Sequence, residues 1–101
     1  MGKFGLYTKF KTKPGKSEEM ISILTEAAKV VAAAKGCVLY IVNKDSLQEN
    51  AIWVTEIWES QEAHRDSLRL EGSKELIARG MNLLDGIPEQ IRLEVIGGKM
   101  S

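Results

Sequence analysis

Both tryptophans and the group that titrates nearest neutrality lie close together in residues 51–68, whose sequence is AIWVTEIWESQEAHRDSL. Trp53, Glu56 and Trp58 belong to an apolar run typical of a strand, and the only histidine, His64, follows in a run typical of a helix. Aromatic walls beside one group able to take up a proton suit a site that binds a small molecule and transfers a proton. The sequence therefore predicts a small-molecule site at this strand-to-helix corner.

His64 and Glu56 are the candidate catalytic bases. The ordinary pKa of histidine, about 6.5, suits proton transfer near neutrality, and burial near a helix N-terminus would keep the ring neutral. A carboxylate inside a strand of aromatic residues must be paired or must have a raised pKa. The structural alternative for His64 is a half-exposed helix residue bonded to a backbone carbonyl. The alternative for Glu56 is an ion pair across the sheet with Lys9 or Arg92.

The composition indicates one domain without an electrostatic preference for nucleic acid or anionic lipid. The 101 residues include 14 basic and 14 acidic ones, so the basic excess that such partners require is absent. No apolar run approaches the roughly 20 residues of a membrane span. The single cysteine, Cys37, permits neither an intramolecular disulfide nor a cysteine-based zinc site. We expect one domain over residues 1–101, in the cytoplasm, with no metal.

Apolar periodicity predicts the element order β-α-β-β-α(α)-β. The strands are predicted at residues 3–12, 37–43, 51–58 and 89–97, where alternate positions are apolar. Ser17 and Ser60 are the predicted N-caps of the first two helices, and Gly36 is the predicted C′ residue of the first. The second helix is predicted to end near Leu70, and a third to open at Ser73. This order predicts an α+β fold of the ferredoxin-like type.

In that fold, two right-handed crossovers place the helices on one face of an antiparallel sheet with strand order four, one, three, two. Thr8 and Phe10 lie on the side of the first strand that we assign to the helices, so Thr8 could offer a hydroxyl to a ligand. Tyr40 is a candidate contributor from the second strand, and Met81 from the third helix. Cys37 is interpreted as a small buried residue that shares one side of its strand with Leu39 and Ile41.

Apolar residues occupy both sides of the predicted strands. In the second predicted strand, the side opposite to Cys37, Leu39 and Ile41 is also apolar. The third predicted strand likewise has apolar residues on both sides. Because helices can cover only one face, the other would expose more apolar surface than a soluble monomer usually tolerates. We expect a homodimer through this sheet face, with coverage by loops and by the tail at residues 98–101 as the alternative.

Several short segments, taken together, resemble the antibiotic biosynthesis monooxygenase family of dimeric α+β barrels over nearly the whole chain. They are Pro14-Gly15-Lys16 before the first helix, Glu56-Ile57-Trp58-Glu59-Ser60 leading into Glu62-Ala63-His64, and Ser67-Leu68 followed by Leu83-Leu84. The resemblance implies a pocket between helices and sheet, with Trp58 as a wall residue. It also implies a dimeric barrel built from two sheets.

The family's activities are mixed. The resemblance implies a cofactor-independent monooxygenase that oxidises a small phenolic, quinol or anthrone-like aromatic with dioxygen. A dimeric barrel that binds a small molecule without catalysis is the alternative, and haem degradation is a third. The haem-degrading branch uses an Asn, a Trp and a His at places where this chain has Thr8, Ser67 and the region of Ile77. Many quinol-type members have a His near Ser67, whereas here the imidazole is at His64.

Overall fold

The chain forms one antiparallel sheet with three helices, seen in a computed structural model that describes residues 2–99. The element order is the predicted one, with two helices between the third and fourth strands. The elements are β1 (Lys3–Lys11), α1 (Ser17–Ala32), β2 (Cys37–Lys44), β3 (Ala51–Trp58), α2 (Gln61–Ser67), α3 (Glu71–Met81) and β4 (Glu89–Val95). Within the described residues, no helix has the length and apolar character needed to cross a membrane.

The sheet has the strand order β2-β3-β1-β4, and every neighbouring pair is antiparallel. This confirms the predicted ferredoxin-like α+β fold and its strand order. Leu6 lies opposite Glu56 and Thr8 lies opposite Val54, so these four side chains share the face of the sheet that the helices cover.

The core lies between that face and α1 with α3. Apolar residues at helical spacing on α1 pack on alternate residues of β3, because each element presents one apolar side to the other. The buried cluster consists of Met20, Ile23, Leu24, Ile52, Val54, Leu76 and Leu83. Gly80 allows α1 and α3 to approach closely, since a Cβ atom there would lie 3.3 Å from Cε of Met20.

Two predicted helix starts are wrong. The carbonyl of Lys16 accepts the first hydrogen bond of α1, so Ser17 is already helical and caps nothing. The carbonyl of Leu70 accepts from Ser73, so α3 begins at Glu71 rather than at Ser73. Gly72 lies inside α3 and lets this helix pack closely on α1, because a Cβ atom there would lie 3.2 Å from Val30.

Two local predictions near the start of β2 are also wrong. Helix α1 ends at Ala32, and Gly36 is not its C′ residue. Gly36 instead turns the chain into β2 with a φ of +91°, close against Ala63. A β-bulge between Cys37 and Leu39 places Cys37 opposite Trp58 on the helix-covered side, away from Leu39. Cys37 is half-buried.

The outer face of the sheet, away from the helices, is apolar and open. Tyr7, Ile41, Ile91 and Leu93 point to this face and are between 42% and 52% exposed. Gly98 and Lys99 are exposed, and Met100 and Ser101 lie outside the described residues. We refer to Tyr7, Ile41, Ile91 and Leu93 as the outer patch.

Candidate functional site

A cavity of about 350 Å³ opens between the helical layer and the sheet. Its walls are mostly apolar and come from α1, α3 and the end of β1, which is typical of sites for small organic molecules. Polar side chains enter it from the sheet, from α2 and from α3. They are Thr8, Tyr40, Glu56, His64, Ser67, Ser73 and Gln90.

Glu56 lies on the sheet floor of the cavity and is 8% exposed. Its Oε1 atom accepts a hydrogen bond of 3.0 Å from Nε1 of Trp58, the second residue along on the same face of β3. Burial raises the pKa of the Glu56 carboxyl, and the hydrogen bond from Trp58 opposes that rise. The carboxyl is therefore a buried proton-binding group held in a fixed orientation.

The ion pair considered for Glu56 does not form among the described residues. Lys9 lies opposite Trp53 and points to the outer face, because side chains alternate along β1. Arg92 lies on the correct face, opposite Leu6, but one strand farther from Glu56. His64 is the ionisable partner that the fold brings to this carboxyl instead.

His64 reaches the cavity from α2. Ser60 caps this helix, as predicted, by accepting a hydrogen bond of 3.0 Å from the backbone N–H of Ala63. Ser67 donates a hydrogen bond of 2.6 Å to the backbone carbonyl of His64 and so fixes the last turn of the helix. The helix that carries the imidazole is thus held at both ends by serine side chains.

The imidazole of His64 is enclosed by aromatic rings and by Glu56. Its centroid lies 5.6 Å from that of Phe4 and 5.7 Å from that of Trp58. Burial lowers the pKa of His64, and the positive charge of Arg92 lowers it further, so the ring is neutral at pH 7. Its Nε2 atom is 3.7 Å from Oε1 of Glu56, too far for a direct hydrogen bond and close enough for electrostatic contact.

Tyr40 lies opposite Glu56 on β2 and forms another part of the sheet floor. Burial and the nearby Glu56 carboxyl raise the pKa of its phenol, so the hydroxyl keeps its proton at neutral pH. Tyr40 can therefore donate a hydrogen bond to a bound ligand but cannot act as a base there.

The structure brings together nearly all of the residues predicted for this site. His64, Glu56, Thr8, Phe10, Tyr40, Ser67 and Met81 all line the cavity. Trp58 does not form a wall, contrary to expectation, because it is fully buried behind Glu56 and His64. It contacts the site through the hydrogen bond to Glu56 and through the ring of His64. The hydroxyl of Ser67 already donates to the helix backbone.

Gln90 is a cavity residue that sequence reasoning missed. It lies on β4 opposite Thr8, and its Nε2 atom donates a hydrogen bond of 3.4 Å to Oγ1 of Thr8. Alternation along β4 places Gln90 on the side opposite to Ile91. This pattern was the sequence signal that could have identified Gln90 as a cavity residue. The pairing of β4 with β1, which sets Gln90 beside Thr8, is a tertiary contact.

The arrangement offers a proton acceptor in a largely apolar enclosure. A neutral imidazole and a carboxyl group of raised pKa face the same space, so an acidic hydroxyl between them could give up its proton. Aromatic and aliphatic walls would keep water from the resulting anion.

Comparisons with known proteins find a family model and several solved structures that match the chain. The family model for antibiotic biosynthesis monooxygenases matches residues 4–79. A protein from Chloroflexus aurantiacus J-10-fl, provisionally described as an antibiotic biosynthesis monooxygenase, is 35% identical, with a TM-score of 0.88 and 97% of each chain covered. A protein from Caulobacter crescentus CB15 with the same provisional description is 23% identical, with a TM-score of 0.88, covering 95% of this chain and 92% of that one.

A third structure has the same fold at a much lower sequence identity. A conserved protein of unknown function from Bacteroides thetaiotaomicron, described as a possible oxidoreductase, is 14% identical, with a TM-score of 0.84, covering 92% of this chain and 97% of that one. At 14% and 23% identity the likeness shows the fold alone. No curated protein matches the sequence.

Proposed function

Because the chain belongs to the antibiotic biosynthesis monooxygenase family, we propose that it oxidises a small phenolic, quinol or anthrone-like aromatic with dioxygen, without a metal or flavin. The observation that carries this proposal is the pair formed by His64 and Glu56, 3.7 Å apart at one end of a largely apolar cavity. An aromatic anion is the species that reacts with dioxygen, and this pair is placed to generate it.

In the proposed reaction, Nε2 of His64 takes the proton of a substrate hydroxyl, and the Glu56 carboxyl stabilises the imidazolium that forms. The substrate anion then passes one electron to dioxygen, and the resulting aryloxyl radical and superoxide combine at a ring carbon to form a peroxide, which takes back the proton from His64. The O–O bond breaks as the same carbon loses its hydrogen, so one oxygen atom stays as the quinone carbonyl and the other leaves as water with those two hydrogens; a phenol and dioxygen give a quinone and water. The substrate supplies all the electrons, and no external reductant is needed.

We further propose that two copies associate through the outer patch in a two-fold dimer. The supporting observation is that Tyr7, Ile41, Ile91 and Leu93 form an exposed, largely apolar surface on the open face of the sheet. Monomeric soluble proteins rarely expose such a surface. We also propose a cytoplasmic location, because the one cysteine fits a reducing compartment.

Oxygen uptake by metal-stripped protein, measured with an oxygen electrode against hydroquinones and anthrones, tests the proposed reaction. His64→Gln should lower the rate by about 10²–10⁴-fold, the usual contribution of a general base. Arg65→Gln is the matched control, because Arg65 is the exposed neighbour of His64 on α2. Absence of turnover above the autoxidation background with every substrate would contradict the proposal.

A non-catalytic ligand-binding module is the second candidate. It is favoured by the 3.7 Å gap, which leaves His64 and Glu56 without a direct hydrogen bond, and by the apolar lining of the cavity. Binding of hydroquinone under argon, with no oxygen uptake in air, would identify this function. A Soret shift on addition of haemin, with loss of absorbance under reductant, would instead indicate haem degradation.

A further inference from the structure

The cavity has a second polar region, formed by Thr8 on β1 and Gln90 on β4. Thr8 is only 2% exposed, and its Oγ1 atom accepts the hydrogen bond from Nε2 of Gln90. Both side chains line the same space as His64 and Glu56 but approach it from other strands.

The hydrogen-bonding capacity of this pair is only partly used. A threonine hydroxyl can donate one hydrogen bond and accept two, and the glutamine amide has a second N–H and a carbonyl oxygen. Among the described residues, the Thr8 hydroxyl accepts from Gln90 and donates to no other group. A nearly buried O–H donor that faces an apolar cavity is poorly solvated, so a ligand oxygen would be a favourable partner for it.

Strand register fixes the distance between the two polar regions. Leu6 lies directly opposite Glu56, and Thr8 is the next residue on the same face of β1. Diagonal neighbours of this kind lie about 7–8 Å apart in an antiparallel sheet, with their Cβ atoms somewhat closer. That separation accommodates one aromatic ring with a polar atom at each end.

We propose that Thr8 and Gln90 are specificity-determining residues, which bind a second oxygen of the ligand while its first oxygen lies at His64 and Glu56. This inference rests on the proposed function for the choice of an aromatic ligand. The pair of Thr8 and Gln90 selects a ring with oxygens at opposite ends over a ring of the same shape with only one oxygen. Thr8 donates the hydrogen bond, and Gln90 orients the Thr8 hydroxyl.

The test compares binding of hydroquinone and 4-methylphenol by calorimetry under argon, where no oxidation can occur. The two ligands have similar shape and differ in the second oxygen. Thr8→Val, which keeps the shape of the side chain, should weaken hydroquinone binding about tenfold and leave 4-methylphenol binding unchanged. Gln90→Leu should weaken hydroquinone binding by a smaller factor, and Thr8→Ser should retain the preference because it keeps the hydroxyl.

Thr55→Val is the matched control. Thr55 also lies on a strand and accepts a 3.4 Å hydrogen bond from an amide side chain, that of Asn43, but it faces away from the cavity. Equal loss of both ligands in Thr8→Val, no loss of either, or the same selectivity change in Thr55→Val would overturn the assignment. So would wild-type protein that binds neither ligand or binds both equally.

Because binding is measured without dioxygen, the two proposals can fail separately. Selective binding of hydroquinone without oxygen uptake in air would reject the monooxygenase and keep the Thr8–Gln90 assignment. Oxygen uptake that is unaffected by Thr8→Val, together with equal binding of the two ligands, would keep the monooxygenase and reject the Thr8–Gln90 assignment.

Discussion

Replacing Ile91 with glutamate should convert the proposed dimer into monomers. Ile91 lies opposite Tyr7 in the outer patch and is 52% exposed. Full burial of an isoleucine contributes about 1.5–3 kcal/mol, so covering its exposed half contributes about 1 kcal/mol. Two-fold symmetry places the substituted residue in the interface twice, and the loss of apolar burial is therefore about 2 kcal/mol.

The two introduced carboxylates increase that loss. Burial of an unpaired charge costs several kcal/mol, which brings the total to at least about 4 kcal/mol. Each 1.4 kcal/mol, roughly, changes a dissociation constant tenfold, so Kd of the dimer should rise by about 1,000-fold or more. A dimer that is stable at micromolar concentration would then be mostly monomeric.

Sedimentation velocity at micromolar concentration measures this change, and circular dichroism verifies that the Ile91→Glu protein remains folded. Thr25→Glu is the control, because it adds the same charge to the exposed side of α1, in the layer opposite the outer patch. The reasoning is refuted if the wild-type protein sediments only as an 11.2 kDa species. It is equally refuted if Ile91→Glu dimerises as tightly as the wild-type protein.

Three further predictions concern stability and titration. Trp58→Phe removes the 3.0 Å hydrogen bond to Glu56, so the free energy of unfolding, measured in urea, should fall by about 1–3 kcal/mol. The pKa of Glu56, measured from carboxyl ¹³C spectra, should rise, and an unchanged titration would contradict this. Burial raises the pKa of Glu56 above 4.5, so the native state holds this proton more tightly, and stability from this group falls as pH rises from 4.5 through the folded-state pKa. Burial lowers the pKa of His64 below 6.5, so the native state binds this proton less tightly than the unfolded state. The contribution of His64 to stability is therefore complete above pH 6.5 and is lost as pH falls through the folded-state pKa. Urea unfolding across pH should show that Glu56→Gln and His64→Gln each remove one of these opposite slopes, and unchanged slopes would refute both assignments. Gly36→Ala should destabilise the protein by more than the roughly 1–3 kcal/mol of backbone strain, because its Cβ would also lie 2.7 Å from that of Ala63, whereas Gly15→Ala meets strain alone; equal thermal shifts of the two variants would contradict this.

The order of the elements and the faces of the strands could be predicted from the sequence, because apolar periodicity is a local property of each segment. Strand β3 was predicted with its observed limits, Ala51–Trp58. The N-cap at Ser60 was also predictable, since the hydroxyl bonds to a backbone N–H only three residues away. Ser17 failed as a cap because the chain before it had already turned into the helix at Lys16.

The candidate site depends on two kinds of information. Glu56 and His64 were identifiable as residues able to transfer protons, because their chemistry and their strand and helix contexts are visible in the sequence. The sequence could not indicate which partner Glu56 would meet. Strand register sets Lys9 on the other face and Arg92 one strand farther away, while α2 folds back over the sheet and brings the imidazole within 3.7 Å.

By itself, the sequence determined the fold class, the apolar character of both sheet faces and the residue types available for chemistry, because these follow from composition and from periods of two and 3.6 residues. Only the tertiary structure decided which side chains share the cavity. Trp58 became a support behind Glu56 rather than a wall, and Gln90 came to lie beside Thr8, 82 positions away in sequence. The physical reason is that strand register and helix approach depend on long-range packing, which no local pattern encodes.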